Sequence, residues 1–400
     1  MAQKMRGVTL HATWDPKPGF KLGAKDIDHV QTYLGSQVWS NPYITIDEYD
    51  IPEPGPGQVL IKVKACGICG SDVHMAQSKD DGYIFYPGLT GFPCILGHEL
   101  SGVVVKSGPG AKDKVTNKPF VGGELVCAEE MLWCGSCKPC ADGYPNHCER
   151  LDEIGFNVNG AFSEYIVLPD RCLWSLEPLR RAYKDERDIF LAGSLVEPCS
   201  VAYNAVIARG GGIRPGDNVV ICGTGPVGLA ACRELKRMGG ATVIVSEPQP
   251  ERAELAKKMG ADFVIDPTKT DFTGEVLRLT AGMGASLYLE ATGLPTVVYP
   301  GIEQAIWEGR TLNSTVVVVA RAEAKMPVTG EVLQVRRAQI VGAQGHSGDG
   351  NFPRVINSMA SGMDMLPMIT KKITLDEVPQ NIIALQTDRK NMKITCVMDD

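Results

Sequence analysis

The stretch Asn218-Val219-Val220-Ile221-Cys222-Gly223-Thr224-Gly225-Pro226-Val227-Gly228 decides the fold of the chain's second half. Five residues of strand character run into three glycines at G-x-G-x-x-G spacing, and a helical pattern follows, stopped by Gly239-Gly240. Gly223 permits a tight turn, Gly225 lets backbone approach a pyrophosphate, and Gly228 lets helix and strand pack closely. Pro226 and Val227 open the helix, whose free N–H groups face that phosphate position. Glu247 lies at the end of the next predicted strand, where a carboxylate accepts ribose hydroxyls and repels a 2′-phosphate. NAD is therefore expected over NADP. A glycine turn without a ligand is the plain alternative, but the strand, the helix and the acidic residue together favour a dinucleotide site.

Working outward, the same alternation continues. Strands are expected at 218–222, 242–246, 263–265, 286–291 and 315–319, with helices at 226–238, 250–259, 274–280 and 296–307 between them. Strands alternating with helices imply a parallel sheet with crossovers. This domain is placed at 199–344, with a helix at 201–208 leading into it. Upstream, short strand candidates at 59–64, 101–106 and 162–168 are separated by Gly and Pro clusters, as in an irregular β domain. The first 50 residues are aromatic and Pro-punctuated with weak periodicity. The tail after Gly345 resumes the mixed pattern and is expected to return to the first domain, giving it residues 1–198 and 345–400.

Composition limits the partners. The chain has 400 residues, a net charge of −7 and no Lys/Arg-rich block, so a nucleic-acid partner is not expected. No apolar run approaches the roughly 20 residues that span a bilayer, and no signal-peptide layout opens the chain. A cytoplasmic protein is expected, and its 13 cysteines then read as thiols or metal ligands and not as disulfides.

Four of them, Cys134, Cys137, Cys140 and Cys148, follow C-x2-C-x2-C-x7-C spacing. Tetrahedral zinc takes four thiolates, and short spacings let one loop supply three of them. An iron–sulfur run would bring its fourth cysteine after three residues, with proline next; a redox C-x-x-C does not call for four. A closed, structural zinc site is the expectation. A second constellation begins at Cys66-Gly67-Ile68-Cys69-Gly70-Ser71-Asp72-Val73-His74 and continues at Gly97-His98-Glu99 and Glu197-Pro198. Cysteine, histidine and carboxylate make a mixed set with room for water or substrate. Taken singly, Cys69 reads as a buried thiol and His98 as a turn histidine. Beside a nucleotide domain they read as a catalytic metal site.

These motifs, in this order, resemble the zinc-dependent medium-chain dehydrogenase/reductase superfamily, over essentially the whole chain after about residue 40. The resemblance implies a GroES-like β-rich catalytic domain and a Rossmann domain with a doubly wound parallel sheet, with the active site in the cleft between them. Each chain would carry two zinc ions, one catalytic and one structural, and use NAD. Carried over residue by residue, it makes Cys69 and His98 catalytic zinc ligands, with Glu99 and Glu197 both candidates for the third protein ligand. Ser71 matches the hydroxyl that takes the substrate proton, His74 the histidine that relays it outward, and Asp72 the group that orients the metal-bound histidine. The family forms dimers and tetramers, so a homo-oligomer is expected, and an exposed strand near 315–320 is the candidate for pairing across subunits.

Glu197 stands where simple alcohol dehydrogenases carry cysteine, which favours a polyol, cyclitol or amino-alcohol substrate. The stretches 82–93, 127–134 and 336–348, with the long N-terminal segment, look similar to the subgroup of bacterial scyllo-inosose 3-dehydrogenases. Sorbitol-type enzymes have an Arg-Tyr pair where this chain has Gly345-His346, so a different substrate grip is expected. His346, Glu129, Glu130 and Asn157 are candidates for it. An L-threonine 3-dehydrogenase or a general sugar-alcohol dehydrogenase is the alternative within the class. A non-catalytic NAD-binding zinc protein is the alternative outside it.

Overall fold

The computed structural model describes residues 3–23, 32–239, 241–348, 350–388 and 390–398. Two compact units divide the chain: Met1–Glu197 with Phe352–Gly362 and Ile369–Asp400, and Pro198–Asn351 with Met363–Met368. The tail thus rejoins the first unit at Phe352 and not at Gly345, and a short stretch near its start belongs with the second.

The second unit is built on a six-stranded parallel sheet. Across it the strands run Phe263–Ile265, Thr242–Ser246, Asn218–Cys222, Leu287–Glu290, Thr315–Val318 and Gln339–Gly342. In chain order that is 3-2-1-4-5-6, the doubly wound dinucleotide-binding arrangement. Its strands are short apolar runs because helices cover both faces of such a sheet. Val220, Ile244, Tyr288 and Val316 are fully buried in one core with Tyr299 and Ile302 of the helix Pro295–Glu308. The expected helix at 201–208 is the end of a longer one, Val196–Tyr203, which continues as a π-helical segment through Arg209.

Two elements of this unit were not expected: the helix Gly330–Arg336 and the sixth strand. They change one reading. Thr315–Val318 is not an exposed edge; its first three residues are buried and it pairs on both sides. The edge is Gln339–Gly342, only half-covered along its length. Gly240, part of the expected helix stop, lies outside the described residues.

The first unit is β-rich. Gln58–Gly67 sits at its centre, antiparallel to Glu99–Ser107, to Tyr165–Pro169 and to the late strand Lys393–Val397. Lys393–Val397 pairs in parallel with Ile369–Ile373. The weakly periodic first 50 residues form two long antiparallel strands, Lys4–Trp14 and Trp39–Asp50. Their burial does not alternate cleanly, which hid the two-residue period. Trp39 anchors them, edge-on to Trp14 at 5.1 Å and to Phe92 at 5.2 Å. No single described helix is long and apolar enough to cross a membrane.

One residue of the second unit works against stability. Glu234, on the helix Pro226–Met238, is buried, and neither carboxylate oxygen has a hydrogen-bond partner. Burial alone pushes its pKa well above the usual carboxyl range. Folding therefore takes up a proton there, and stability is lost as pH rises from the ordinary carboxyl range toward the raised value. Glu234→Met removes the group at similar volume. It is expected to stabilise the protein by about 1–3 kcal/mol, with a Tm advantage in thermal scans that widens as pH rises above the ordinary carboxyl range. An advantage independent of pH would refute the assignment.

Candidate active site and metal centres

The helix Gly70–Ala76 follows the central strand of the first unit, with Cys69 as its N-cap. Asp72 accounts for the local shape. Its Oδ2 accepts from the Cys69 main-chain N–H at 2.8 Å, and its Oδ1 from that of Gly97 at 3.3 Å. One buried carboxylate therefore joins the loop bearing Cys69 to the loop bearing His98. The same Oδ1 lies 3.9 Å from His98 Nδ1. Burial pushes the Asp72 carboxyl up, against the opposing pull of His98 and the two N–H groups.

Cys69, His98 and Glu99 each bring a ligand atom to within 4.8 Å of the others. Burial disfavours charge on His98, but Asp72, Cys69 and Glu197 outweigh it and hold the imidazole well above its ordinary pKa. A pocket that draws a proton so strongly is one that suits a cation, and the thiol, imidazole and carboxylate donors fit zinc. Glu197, in the first turn of Val196–Tyr203, is buried and acts on this same group of residues.

The structure adds a residue that the motifs did not reveal. Lys393, fully enclosed, places Nζ 2.6 Å from both oxygens of Glu99 and 2.9 Å from the Ile68 carbonyl. Gly67 makes room for the pair, because a Cβ there would lie 2.1 Å from Glu99 Oε2. The Lys393 cation holds both oxygens of Glu99. The signal was present as a lone lysine in the otherwise apolar or small run Met392-Lys393-Ile394-Thr395-Cys396-Val397.

Ser71 and His74 sit three residues apart on the same helix face. Ser71 Oγ is buried without a hydrogen-bond partner. The His74 carbonyl accepts from the N–H groups of Phe85 and Tyr86, both at 3.1 Å, and the Phe85 ring lies 5.1 Å from the imidazole. Tyr86 continues to Phe156, whose ring is 4.8 Å from that of His98. The unusual 82–93 segment thus packs against His74 and reaches His98 through Phe156, a role its sequence did not announce.

The four cysteines of the lobe converge, with all four sulfurs within 4.8 Å of one another. None of the 13 cysteines forms a disulfide. N–H groups of Cys134 and Arg150 point at Cys148 Sγ, both at 3.3 Å, and Ser136 N–H points at Cys134 Sγ at 3.4 Å. The Arg150 guanidinium adds a 3.3 Å contact to Cys134. Hydrogen bonds from the Ser136 N–H first, then the Cys137 N–H, pull the Cys134 thiol down to about 5 against the cost of burial. Donors aimed at thiolates suit a four-sulfur zinc site with no open position.

Two weaker candidates are already occupied. The Glu129 carboxylate accepts from Trp174 Nε1 at 2.7 Å, Trp133 Nε1 at 3.1 Å and Lys114 Nζ at 3.3 Å, tying the lobe to the β core. Asn157 closes its own turn, accepting from Glu153 N at 2.7 Å and donating to Asp152 at 2.8 Å. Glu130 is buried beside them, its carbonyl bonded to Ile154 N. His346 is buried in a pinned loop of the second unit. Asn204 holds the carbonyls of Gln344 and Gly345, Asn351 holds that of His346, and Ser347 Oγ lies 3.4 Å from its Nδ1.

In the second unit, Gly223 has φ +89°, and a Cβ there would meet Thr292 at 2.8 Å. A Cβ on Gly228 would lie 2.0 Å from the Gly223 carbonyl, so side chains are excluded at both. At Gly225, the N-cap of the helix, a Cβ would point into open space, which leaves the backbone approachable for a phosphate. Pro226 and Val227 form the half-buried first turn. Glu247 is buried at the adjacent strand end and bonded to the turn itself, with Thr224 Oγ1 2.7 Å from Oε2.

The chain matches the alcohol dehydrogenase GroES-like domain over residues 55–178 and the zinc-binding dehydrogenase domain over residues 226–361. The chain belongs to the zinc-dependent medium-chain dehydrogenases. The scyllo-inosose 3-dehydrogenase of Thermotoga maritima is 62% identical over 394 residues, covering 98% of this chain and 99% of that one. The L-threonine 3-dehydrogenase of Pyrococcus horikoshii is 36% identical over 66% of this chain and 70% of its own. A solved structure from Thermotoga maritima, described as a candidate alcohol dehydrogenase, superposes with a TM-score of 0.94 at 61% identity, covering 98% of this chain and all of that one. As a medium-chain dehydrogenase, the protein is a zinc enzyme that works with a nicotinamide cofactor on a small molecule.

The buried ion pair makes a prediction. Lys393→Met leaves the Glu99 carboxylate enclosed without its cation, and urea unfolding is expected to show a loss of about 3–5 kcal/mol. Lys393→Met with Glu99→Leu removes both charges and is expected to regain a good part of that loss. Equal losses in the single and double variants would mean the pair is not what Lys393 contributes.

Proposed function

We propose that the protein is an NAD-dependent cyclitol dehydrogenase that oxidises a secondary hydroxyl of an inositol-type ring, with scyllo-inosose as the first substrate to test. The observation that carries this reading is the 62% identity, across 98% of the chain, to the Thermotoga scyllo-inosose 3-dehydrogenase. The threonine dehydrogenases, the alternative within the class, are more distant at 36%.

In this reading Cys69 and His98 would hold the catalytic zinc, with Glu99, grouped with them and bound by Lys393, and Glu197 both candidates for the third protein ligand. Cys134, Cys137, Cys140 and Cys148 hold the structural one. Bound zinc supplies Lewis acidity toward the substrate hydroxyl, and bound NAD accepts the hydride. The protein's part is to orient groups and move a proton. Ser71 Oγ, buried and unpartnered, accepts the hydroxyl proton, and His74, one helical turn on, passes it outward. Asp72 fixes the loops of Cys69 and His98 and faces His98 Nδ1, which directs the other ring nitrogen toward the metal. Gly223, Gly225 and Gly228 seat the pyrophosphate and Glu247 meets the adenosine ribose.

Cofactor reduction measured at 340 nm with scyllo-inosose, myo-inositol, sorbitol and L-threonine tests the proposal. Turnover of a cyclitol with the highest kcat/KM is expected, and reaction with threonine alone would sink it. Ser71→Ala is expected to lower kcat by about 10²–10⁴-fold while NADH binding, followed by fluorescence, stays within about twofold. Loss of cofactor affinity instead would place Ser71 elsewhere in the chemistry.

A further inference from the structure

The Glu247 carboxylate is fixed in place before any cofactor arrives. Its Oε1 accepts from the N–H of Gln249 at 2.9 Å, and its Oε2 from both the N–H and the hydroxyl of Thr224, at 3.0 and 2.7 Å. Its own main-chain N–H is bonded to Ile265 across the strand end. Gln249 is the N-cap of the next helix, Pro250–Met259, and Thr224 is the middle residue of Gly223-Thr224-Gly225. Three donors from two loops therefore converge on one buried carboxylate. Two are main-chain groups that any sequence would offer. The third, the Thr224 hydroxyl, belongs to this side chain, which is itself wholly enclosed.

We propose that Thr224 is a positioning residue for dinucleotide selectivity: its hydroxyl locks the Glu247 carboxylate in the orientation that accepts a ribose diol and refuses a 2′-phosphate. This rests on the reading that Glu247 meets the adenosine ribose. With Oε2 held by two donors, the carboxylate plane does not turn. Three of the carboxylate's roughly four lone-pair sites are taken, which leaves one on Oε1 in place for a ribose hydroxyl, so little ordering cost falls on NAD binding. A 2′-phosphate would meet a negative charge that has no room to swing aside, and repulsion at that distance is not relieved by rotation. Without the hydroxyl, one main-chain N–H remains on each oxygen, and the carboxylate is held by two donors in place of three.

The experiment is direct binding of NADH and NADPH to the intact enzyme by fluorescence titration. Thr224→Val keeps the shape and the main-chain donor but removes the hydroxyl. It is expected to weaken NADH by about three- to tenfold, the worth of one buried hydrogen bond. NADPH is expected to change by less than about twofold, so the selectivity ratio falls. Thr224→Ser, which retains the hydroxyl, is expected to restore the ratio. If a methyl in place of the hydroxyl disturbs the turn, as a fall in Tm would reveal, Thr224→Ala removes the same hydroxyl and the same ratio decides. An unchanged ratio without the hydroxyl overturns the proposal, as does an equal loss with serine. Glu247→Gln separates the two levels. If it leaves both affinities unchanged, the reading of Glu247 itself fails. If it collapses selectivity while Thr224→Val does not, only the lock fails.

Discussion

The constraint on which the first unit turns is the burial of several acidic groups in one place. Asp72, Glu99 and Glu197 are all enclosed near the Cys69 thiol and the His98 ring. Gathering such groups out of water is unfavourable unless positive charge comes with them. The protein supplies one cation of its own, the Lys393 ammonium, spread over both oxygens of Glu99. It supplies part of another by drawing a proton toward His98. The remaining deficit is what a divalent metal would fill, so the appetite for metal follows from the folded arrangement of charges.

The two units meet the same problem by different means. In the lobe, main-chain N–H groups and Arg150 point at the sulfurs of Cys134 and Cys148. In the nucleotide-binding unit, a carboxylate is held by a glycine turn and the start of the next helix. In both, backbone donors point at the acidic group and one side chain completes the set, Arg150 in the lobe and Thr224 at the glycine turn.

Much of the fold was legible because short parallel strands and their helices carry local signals. The boundaries of Asn218–Cys222, Pro226–Met238, Thr242–Ser246 and Pro250–Met259 follow directly from apolar runs, Pro at the first helical turn and terminal glycines. What escaped was non-local. Lys4–Trp14 and Trp39–Asp50 are strands because they pair with each other, and the edge strand Gln339–Gly342 lacks a buried face to mark it. The site divides the same way. Metal-type spacing and the glycine turn identified the donors, but Lys393, Phe85 and Phe156 reach them only through tertiary contacts. Glu129 and Asn157 show the converse, since polar residues near a motif were satisfied by partners their sequence positions did not disclose.

The span between Glu99 and Lys393 has a consequence for biosynthesis. They are 294 residues apart, with the whole nucleotide-binding unit between them. As the chain emerges from the ribosome, the strand bearing Glu99 is complete long before its counter-charge exists. Until the late strand docks, the carboxylate has reason to stay solvated, and the central sheet lacks one neighbour beside Gln58–Gly67. The second unit, by contrast, draws almost all its contacts from one continuous stretch and is free to form while the first waits. The Glu99–Lys393 pair, and the last neighbour of Gln58–Gly67, therefore cannot form until the chain has been made as far as Lys393–Val397.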